Sequence, residues 1–393
     1  MYGGQEFEIE QRNLRLEHMK IIVDNKIPYI KGALEPFAEV VYLPGNLTTA
    51  GVVKDADALV TRTRTICNKD TLQGSNVKFI ATATIGFDHI DTAYCNAADI
   101  EWVNAPGCNA ESVNQYVLSA LLSWAKNHSI RLKDTTIGIV GVGQTGSRIA
   151  KSCEILGMTV LLNDPPRERA EGSEHFVSLS DIQQQADIIT FHVPLNRQGI
   201  DKTFHIVNRE FLRNLQRSPL TINTCRGEVF NTEAAIKARE SGQVSGMVID
   251  CWESEPEINL NLLKLADFST AHIAGYSRDG KANGTTRSVR AISQFFGLGI
   301  DKWKPEGVEP PDRPLIGLHG IGGAEQSILT DVILSTYQIE SDDKALRENP
   351  QLFEKLRGNY PVRREFDSHT ICASNIGAQT LEKLVLLGFK LLY

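Results

Sequence analysis

TIGIVGVGQTG, at residues 136–146, ends with three glycines in the spacing G-x-G-x-x-G. β-Branched residues precede these glycines, as in a short buried strand, and a helical pattern over residues 147–156 follows them. In this arrangement Gly141 permits a tight turn, Gly143 lets a pyrophosphate approach the backbone, and Gly146 lets the helix lie close to the strand. The segment therefore predicts a strand, turn and helix that bind a dinucleotide.

An acidic residue, Asp164, closes the next apolar run at residues 159–162. The pyrophosphate is expected at the N-terminus of the helix, beside Gln144 and Thr145, where free N–H groups and the helix dipole favour an anion. Asp164 is expected to accept hydrogen bonds from the adenosine ribose hydroxyls and to repel a 2′-phosphate, which predicts NAD rather than NADP. The alternative is an ordinary glycine turn in a chain with 31 glycines. It does not explain why strand, helix and acid are all in register.

Composition excludes several other classes of protein. A chain of 393 residues is long enough for two or three domains, and 41% hydrophobic with 23% charged residues is typical of a globular protein. The net charge of −7 and the lack of a long basic block argue against a nucleic-acid partner. No apolar run approaches the roughly 20 residues of a membrane helix. The seven cysteines are scattered, which predicts neither disulfides nor a metal site and favours the cytoplasm.

Short apolar runs alternate with helical patterns along most of the chain, which predicts parallel sheets with helices on both faces. A long amphipathic helix is predicted over residues 109–127 and a polar loop and helix over 277–296. The predicted strands are residues 21–23, 40–43, 58–61, 77–83, 100–103, 136–140, 159–162, 188–193, 220–224, 244–249 and 268–272.

The fold class expected is α/β, with two doubly wound parallel-sheet domains and a small α+β C-terminal domain. Residues 1–18 are polar and are expected to be a disordered extension without a role in the chemistry. The small size of the C-terminal domain predicts that it buries its apolar face against a second copy, as a homodimer. The domains expected are a flavodoxin-like substrate-binding domain at 19–110 and 277–302, a Rossmann NAD-binding domain at 111–276, and the C-terminal domain at 303–393. In the C-terminal domain, strands are predicted at 315–318 and 369–372 and helices at 324–337 and 378–387.

Three polar residues, Arg226, Glu255 and His272, lie at or just after predicted strand ends downstream of the glycine turn. The carboxyl ends of the strands are where doubly wound sheets bind ligands. A histidine can accept the proton of an alcohol while a hydride leaves the same carbon, a carboxylate can fix the histidine tautomer, and an arginine can hold a carboxylate in a fork. Taken singly, each residue has an ordinary structural explanation: a buried histidine, an acid at a helix start and a surface ion-pair partner. Together they predict hydride transfer with a 2-hydroxy acid.

With these residues in place, the chain resembles the D-isomer-specific 2-hydroxyacid dehydrogenase family. The resemblance runs from Met19 to the C-terminus and rests on short motifs distributed along the chain. These motifs are residues 84–91, 104–110, 141–146 with Asp164, 163–167, 225–227, 253–256, 272–276 and 280–286.

The resemblance implies roles for individual residues. Arg226 and Glu255 would be catalytic, and His272 would be the proton donor and acceptor. The glycine motif predicts NAD contacts by Gly141, Gly143, Gln144, Thr145 and Gly146, and the resemblance adds Asp164, Asp250 and Gly275. Val193 and Cys225 are also expected to contact NAD. The substrate contacts that it implies are Thr63, Thr84, Ile85, Gly86 and Tyr276, with backbone N–H groups of the 84–86 loop holding the substrate carboxylate.

Within the family, the chain is similar to members that oxidise 4-phospho-D-erythronate, a step of vitamin B6 biosynthesis. The substrate phosphate needs positive charge, and Arg62 and Arg64 would share one face if their segment were extended. Other hypotheses stay open. The phosphate could bind Lys281, Arg278, Arg363 or Arg364, and Arg62 and Arg64 could be solvated. The substrate could be another D-2-hydroxy acid such as 3-phosphoglycerate, the protein could sense NAD without turnover, and the C-terminal domain could bind a regulatory ligand.

Overall fold

The computed structural model describes residues 19–319 and 324–392. The predicted N-terminal extension, residues 1–18, lies outside the described residues. The chain divides into two compact units. The first comprises the residues up to 109 together with 278–309, and the second comprises 110–277 together with 310–393.

The strands of the described residues are β1 (Lys20–Asp24), β2 (Glu39–Leu43), β3 (Ala58–Thr61), β4 (Phe79–Thr82), β5 (Glu101–Val103), β6 (Thr136–Val140), β7 (Thr159–Asn163), β8 (Ile188–Phe191), β9 (Leu220–Asn223), β10 (Gly246–Ile249), β11 (Phe268–Ser269), β12 (Leu315–His319), β13 (Thr370–Ser374) and β14 (Lys390–Leu392). The α-helices are α1 (Ala50–Val53), α2 (Lys69–Leu72), α3 (Thr92–Ala97), α4 (Ala110–His128), α5 (Gln144–Ile155), α6 (Pro165–Glu171), α7 (Leu179–Gln185), α8 (Arg209–Arg213), α9 (Thr232–Glu240), α10 (Leu260–Leu265), α11 (Arg278–Phe296), α12 (Glu325–Thr336), α13 (Ile339–Glu348), α14 (Phe353–Gly358) and α15 (Ala378–Leu386).

The first unit contains a parallel sheet in the order β2-β1-β3-β4-β5, which is the flavodoxin-like order. Its central strands are continuous apolar runs because both faces of the sheet are covered. Helix α11 contributes Val289 and Ile292 to the same hydrophobic cluster as β1 and β4. It lies so close to the sheet that a Cβ on Gly284 would be 2.5 Å from the carbonyl oxygen of Ala83. Only glycine allows this approach of helix to strand.

The second unit contains a parallel sheet in the order β11-β10-β9-β8-β6-β7. Strand β7 lies on one side of β6, whereas β8 to β11 lie on the other, so the strand order changes direction between β6 and β8. Ligands bind at such switch points in doubly wound sheets. Helix α4 is almost completely buried, and its apolar residues belong to the same hydrophobic cluster as Ile137 and Ile139 of β6. Its predicted apolar stripe, which includes Val117 and Leu121, is fully buried. The predicted α/β class is confirmed, as are nearly all predicted strands within a few residues.

The C-terminal part of the second unit has its own small parallel sheet in the order β12-β13-β14. Its apolar residues, among them Leu329 and Ile333, belong to the same hydrophobic cluster as Leu121 of α4. This part therefore has a core continuous with that of the NAD-binding fold. The finer domain boundaries expected from the sequence stay a prediction.

Helices α13 and α14 and strand β14 were not predicted from the sequence. Helix α13 is highly charged and buries only Ile339 and Leu346, so its apolar pattern is weak. Among the described residues, no helix is long and apolar enough to cross a membrane.

Candidate active site

The glycine turn after β6 has the geometry that the sequence predicts. Gly141 has a φ of 89°, and a Cβ there would be 2.6 Å from the carbonyl oxygen of His192. A Cβ on Gly146 would be 2.0 Å from the carbonyl oxygen of Gly141. By contrast, apart from the residues next to it in the chain, Gly143 has no described atom within 4 Å of the position that a Cβ would occupy. Two of the glycines are thus required by the fold itself, and the third borders open space that can accept a phosphate.

The first turn of α5, with Gln144 and Thr145, follows directly on Gly143, which provides no side-chain cap. Its N–H groups are therefore oriented toward the space beside the turn, which suits an anion. Asp164 closes the other side of the turn: its Oδ2 accepts a hydrogen bond from the Val142 N–H at 2.8 Å. Its Oδ1 accepts from the Arg167 N–H at 3.1 Å, which caps α6. A carboxylate has lone pairs beyond these two bonds for ribose hydroxyls, so these residues fit NAD.

Val193 follows β8 and Cys225 follows β9. A Cβ on Gly141 would be 2.9 Å from Cγ1 of Val193, so Val193 borders the turn directly. Cys225 is buried, and its N–H donates to Oδ1 of Asn223 at 3.2 Å. Burial raises the pKa of the Cys225 thiol to about 11, so this thiol is protonated and unreactive at neutral pH.

Glu255 and His272 form a hydrogen-bonded pair. The distance from Nδ1 of His272 to Oε1 of Glu255 is 2.5 Å, and the two side chains are 24% and 25% exposed. The other oxygen of Glu255 accepts from the Trp252 N–H at 3.2 Å. Burial acts to raise the pKa of Glu255, but the hydrogen bond and charge of His272, the Trp252 N–H and the charge of Arg357 together hold it below its usual range. Glu255 is therefore ionised and fixes the orientation of the imidazole.

His272 itself lies in a turn after β11, with a φ of 53°, and not on a strand as predicted. This left-handed conformation is unusual for a residue with a side chain. Asp250, which is 1% exposed, holds the turn. The His272 N–H donates to the Asp250 backbone oxygen at 2.9 Å, and the Asp250 carboxylate accepts from the N–H groups of Ile273 at 2.7 Å and Ala274 at 3.0 Å. The fold thereby stabilises a strained conformation that directs His272 toward Glu255.

Arg226 lies on the loop after β9, and its Nη1 donates to the carbonyl oxygen of Cys225 at 2.8 Å. Arg226, Glu255 and His272 border one cavity of about 210 Å³. The complete lining is Arg226, Gly227, Glu228, Trp252, Ser254, Glu255 and His272. The structure thus brings together the three residues that the sequence analysis selected, at a site large enough for a small acid.

Residues 110–274 match the family of D-isomer specific 2-hydroxyacid dehydrogenases, in its NAD binding domain. The erythronate-4-phosphate dehydrogenase of Bacteroides thetaiotaomicron is 51% identical over 90% of this chain and 99% of its own. The chain belongs to the D-isomer specific 2-hydroxyacid dehydrogenase family. The predicted family and the NAD cofactor are confirmed. Residues 311–388 match a domain of unknown function.

Two further comparisons concern a second relative and a solved structure. The erythronate-4-phosphate dehydrogenase of Porphyromonas gingivalis is 41% identical over 94% of this chain and 99% of its own. The crystal structure of D-lactate dehydrogenase from Aquifex aeolicus, complexed with NAD and lactic acid, is 24% identical, with a TM-score of 0.59 over 74% of this chain and 99% of that one. At that identity the match shows the shared fold alone.

The loop that the family resemblance assigns to the substrate lies in the first unit, after β4. All three of its carbonyl oxygens accept hydrogen bonds. The Thr84 oxygen accepts from Ala105 N–H at 2.9 Å, the Ile85 oxygen from Asn104 Nδ2 at 2.7 Å, and the Gly86 oxygen from Thr84 Oγ1 at 2.8 Å. These bonds fix the conformation of the loop.

Arg62 and Arg64 do not lie on one face of an extended segment, so that prediction was wrong. Residues 62–65 form a turn closed by a hydrogen bond from the Thr65 N–H to the Arg62 oxygen at 3.1 Å, so side chains do not alternate as in a strand. Arg62 donates from Nη1 to the Lys26 carbonyl oxygen at 3.1 Å, and Thr63 and Arg64 are exposed. Phosphate binding by these residues stays a prediction.

Arg363 has a position that the sequence analysis did not foresee. It is 4% exposed, and its Nη2 donates to the carbonyl oxygens of Ala274 at 2.5 Å and Ile273 at 3.3 Å. Its guanidinium lies over the rings of Tyr337, at 4.6 Å, and Tyr360, at 5.6 Å. Arg363 and Asp250 therefore hold the same segment: Arg363 binds its carbonyl oxygens, and Asp250 binds its N–H groups. No local pattern signals this, because the partners are about ninety residues away.

Proposed function

We propose that the protein oxidises 4-phospho-D-erythronate at C2 to (R)-3-hydroxy-2-oxo-4-phosphobutanoate, with NAD as the oxidant. The observation that carries this proposal is the 51% identity to an erythronate-4-phosphate dehydrogenase over 90% of the chain. The cavity that Arg226, Glu255 and His272 share supports a catalytic role for these residues. The reaction belongs to the biosynthesis of pyridoxal 5′-phosphate.

In the proposed mechanism, His272 acts as the general base. Its Nδ1 is hydrogen-bonded to Oε1 of Glu255 at 2.5 Å, so Nε2 is the nitrogen available to accept the proton of the C2 hydroxyl. Glu255 is ionised and stabilises the imidazolium that results. Arg226 holds the substrate carboxylate and the reacting oxygen in its planar fork. NAD supplies the acceptor for the hydride that leaves C2.

The contacts with NAD are proposed from the turn and the strand ends. Gly143, Gln144 and Thr145 are proposed to bind the pyrophosphate, and Asp164 the adenosine ribose. The remaining contacts proposed with the cofactor are Gly141, Gly146, Val193, Cys225, Asp250 and Gly275. Asp250 is proposed to support the cofactor site chiefly by holding the 272–274 backbone, because its carboxylate already accepts hydrogen bonds from the Ile273 and Ala274 N–H groups. Thr63, the 84–86 loop and Tyr276 are proposed to contact the substrate.

We also propose that the C-terminal region forms a homodimer. Four large apolar side chains of that region are strongly exposed for their type: Leu315 (61%), Val385 (48%), Leu386 (49%) and Leu392 (57%). A Leu386→Glu substitution is expected to convert a dimer into a monomer in light scattering, with the thermal transition retained. A particle mass unchanged by Leu386→Glu and Val385→Asp together would refute this interface. The cytoplasmic location stays a prediction.

Steady-state turnover tests the proposed function. Formation of NADH would be measured with 4-phospho-D-erythronate, D-erythronate, D-3-phosphoglycerate and D-lactate. The highest kcat/KM is expected with 4-phospho-D-erythronate. A preference for 3-phosphoglycerate or for an unphosphorylated acid would replace the substrate assignment. Absence of turnover with every acid, despite NAD binding, would support an NAD sensor instead.

A further inference from the structure

Helix α14 places a cationic residue of the C-terminal region beside the 272–277 segment. Phe353, at the start of α14, is 1% exposed and belongs to the hydrophobic cluster that contains Trp252 and Ala271. Leu356 packs against the same cluster. Arg357 follows Phe353 by four positions and therefore lies on the same face of the helix. The packing of α14 thus fixes the backbone position from which the Arg357 side chain extends.

The guanidinium of Arg357 lies over the ring of Tyr276, with its Cζ 5.6 Å from the ring centroid. Tyr276 is held in turn by an edge-to-face contact with Tyr360, at 6.1 Å between the centroids. Nε of Arg357 is buried and has no hydrogen-bond acceptor among the residues that the structure describes. Because a guanidinium cannot give up its proton in a protein, a buried N–H of this kind calls for an acceptor.

The charge of Arg357 also reaches the proposed catalytic residues. Burial acts to lower the pKa of Arg357, but Tyr276 and Glu255 raise it, so the group stays cationic. In return, Arg357 is one of the groups that lower the pKa of Glu255. The second unit therefore brings two arginines, Arg226 and Arg357, to the neighbourhood of Glu255.

The proposed substrate carries two anionic groups, a carboxylate at C1 and a phosphate at C4. Arg226 is proposed to hold the carboxylate, so the phosphate needs a second cation. We infer that Arg357 binds the substrate phosphate, with Tyr276 holding the guanidinium plane in position. A planar fork matches the oxygens of a phosphate, and the buried Nε supplies a donor that awaits an acceptor. This inference rests on the proposed function and identifies the residue behind its specificity for a phosphorylated acid.

The test compares a phosphorylated substrate with its unphosphorylated counterpart. Arg357→Met is expected to raise KM for 4-phospho-D-erythronate at least about tenfold, as expected for loss of one charge-assisted contact. The kcat/KM for D-erythronate, which has no phosphate, should change by less than about threefold. Arg357→Lys should recover part of the loss because it restores the charge but not the fork. Lys355→Met, at an exposed position of the same helix, is the matched control and should resemble the wild type.

Several outcomes would overturn the inference. Equal losses with both acids would show that Arg357 supports the fold of the site and not the phosphate. Unchanged kinetics in Arg357→Met, with the loss appearing in Arg62→Met or Arg64→Met, would assign the phosphate to the first unit. If Arg357→Met fails to show a cooperative thermal transition, the same ratio measured with Arg357→Lys decides. Turnover of the wild type reports on the proposed function, whereas the ratio between variant and wild type reports on Arg357.

Discussion

Replacement of Arg363 by methionine would test how the C-terminal region supports the turn that carries His272. Arg363 is 4% exposed and donates to the carbonyl oxygens of Ile273 and Ala274. Its guanidinium also lies over the rings of Tyr337 and Tyr360. Methionine removes the charge and the donors but keeps an unbranched side chain that tolerates aromatic neighbours. The substitution therefore tests the hydrogen bonds with little change in packing.

The expected loss follows from these contacts. Hydrogen bonds from a charged donor contribute about 1.5–3 kcal/mol each, and desolvated cation–π contacts contribute up to about 2 kcal/mol each. Against this stands the cost of burying the guanidinium, which is several kcal/mol. The net loss of stability expected for Arg363→Met is about 2–4 kcal/mol, or roughly 4–8 °C in Tm at about 2 °C per kcal/mol for a unit of this size.

Activity should fall together with stability. A displacement of about 1 Å in a positioned catalytic group can cost about 10²-fold, and His272 lies next to the two carbonyl groups that lose their donor. We expect kcat to fall about 10–100-fold at a temperature where the variant is folded.

Thermal unfolding and steady-state kinetics of Arg363→Met would be measured beside Arg313→Met. Arg313 is exposed in the same region, so the control makes the same chemical change without removing a buried contact. A Tm and a kcat that both match those of the control would refute the supporting role of Arg363. A lower Tm with an unchanged kcat would limit the role of Arg363 to stability.

Three further predictions concern the proposed catalytic residues and acid stability. His272→Ala should lower kcat by about 10²–10⁴-fold without weakening NAD binding measured by fluorescence titration, and near-normal turnover would remove His272 from the mechanism. Arg226→Lys should also lose most activity, because a point charge cannot replace the planar fork; unchanged KM and kcat would contradict the carboxylate clamp. Burial lowers the pKa of His192 to about 3 in the folded protein, against 6.5 ordinarily. The unfolded chain therefore binds a proton that the folded chain does not, so stability should fall as pH drops below about 6.5. By pH 5 this loss should reach about 1–2 kcal/mol. The midpoint of acid unfolding should move to lower pH in His192→Asn, and an unchanged midpoint would exclude His192 as a source of acid sensitivity.

Local patterns were sufficient for most of the fold. The glycine turn, the strand runs and the long helix α4 each depend on residues a few positions apart, and each was predicted within a few residues. The errors occurred where a predicted strand was continued past its last residue. His272 was placed on a strand but lies in a left-handed turn, because hydrogen bonds to Asp250 override the extended conformation. Arg62 was placed in an extended segment that is a turn.

The family, the cofactor and the candidate residues Arg226, Glu255 and His272 could be read from the order of residues. The chemical groups that bind a dinucleotide or move a proton are themselves residue types at fixed spacing, so the sequence carries them directly. Only the tertiary structure revealed that Arg357 and Arg363, from the C-terminal region, meet Tyr276 and the Ile273 and Ala274 carbonyl groups. Their contacts depend on helix α14 packing against the sheet and on a core shared with α4. Such contacts join residues about 80 to 90 positions apart, and no period of a helix or a strand encodes a separation of that length.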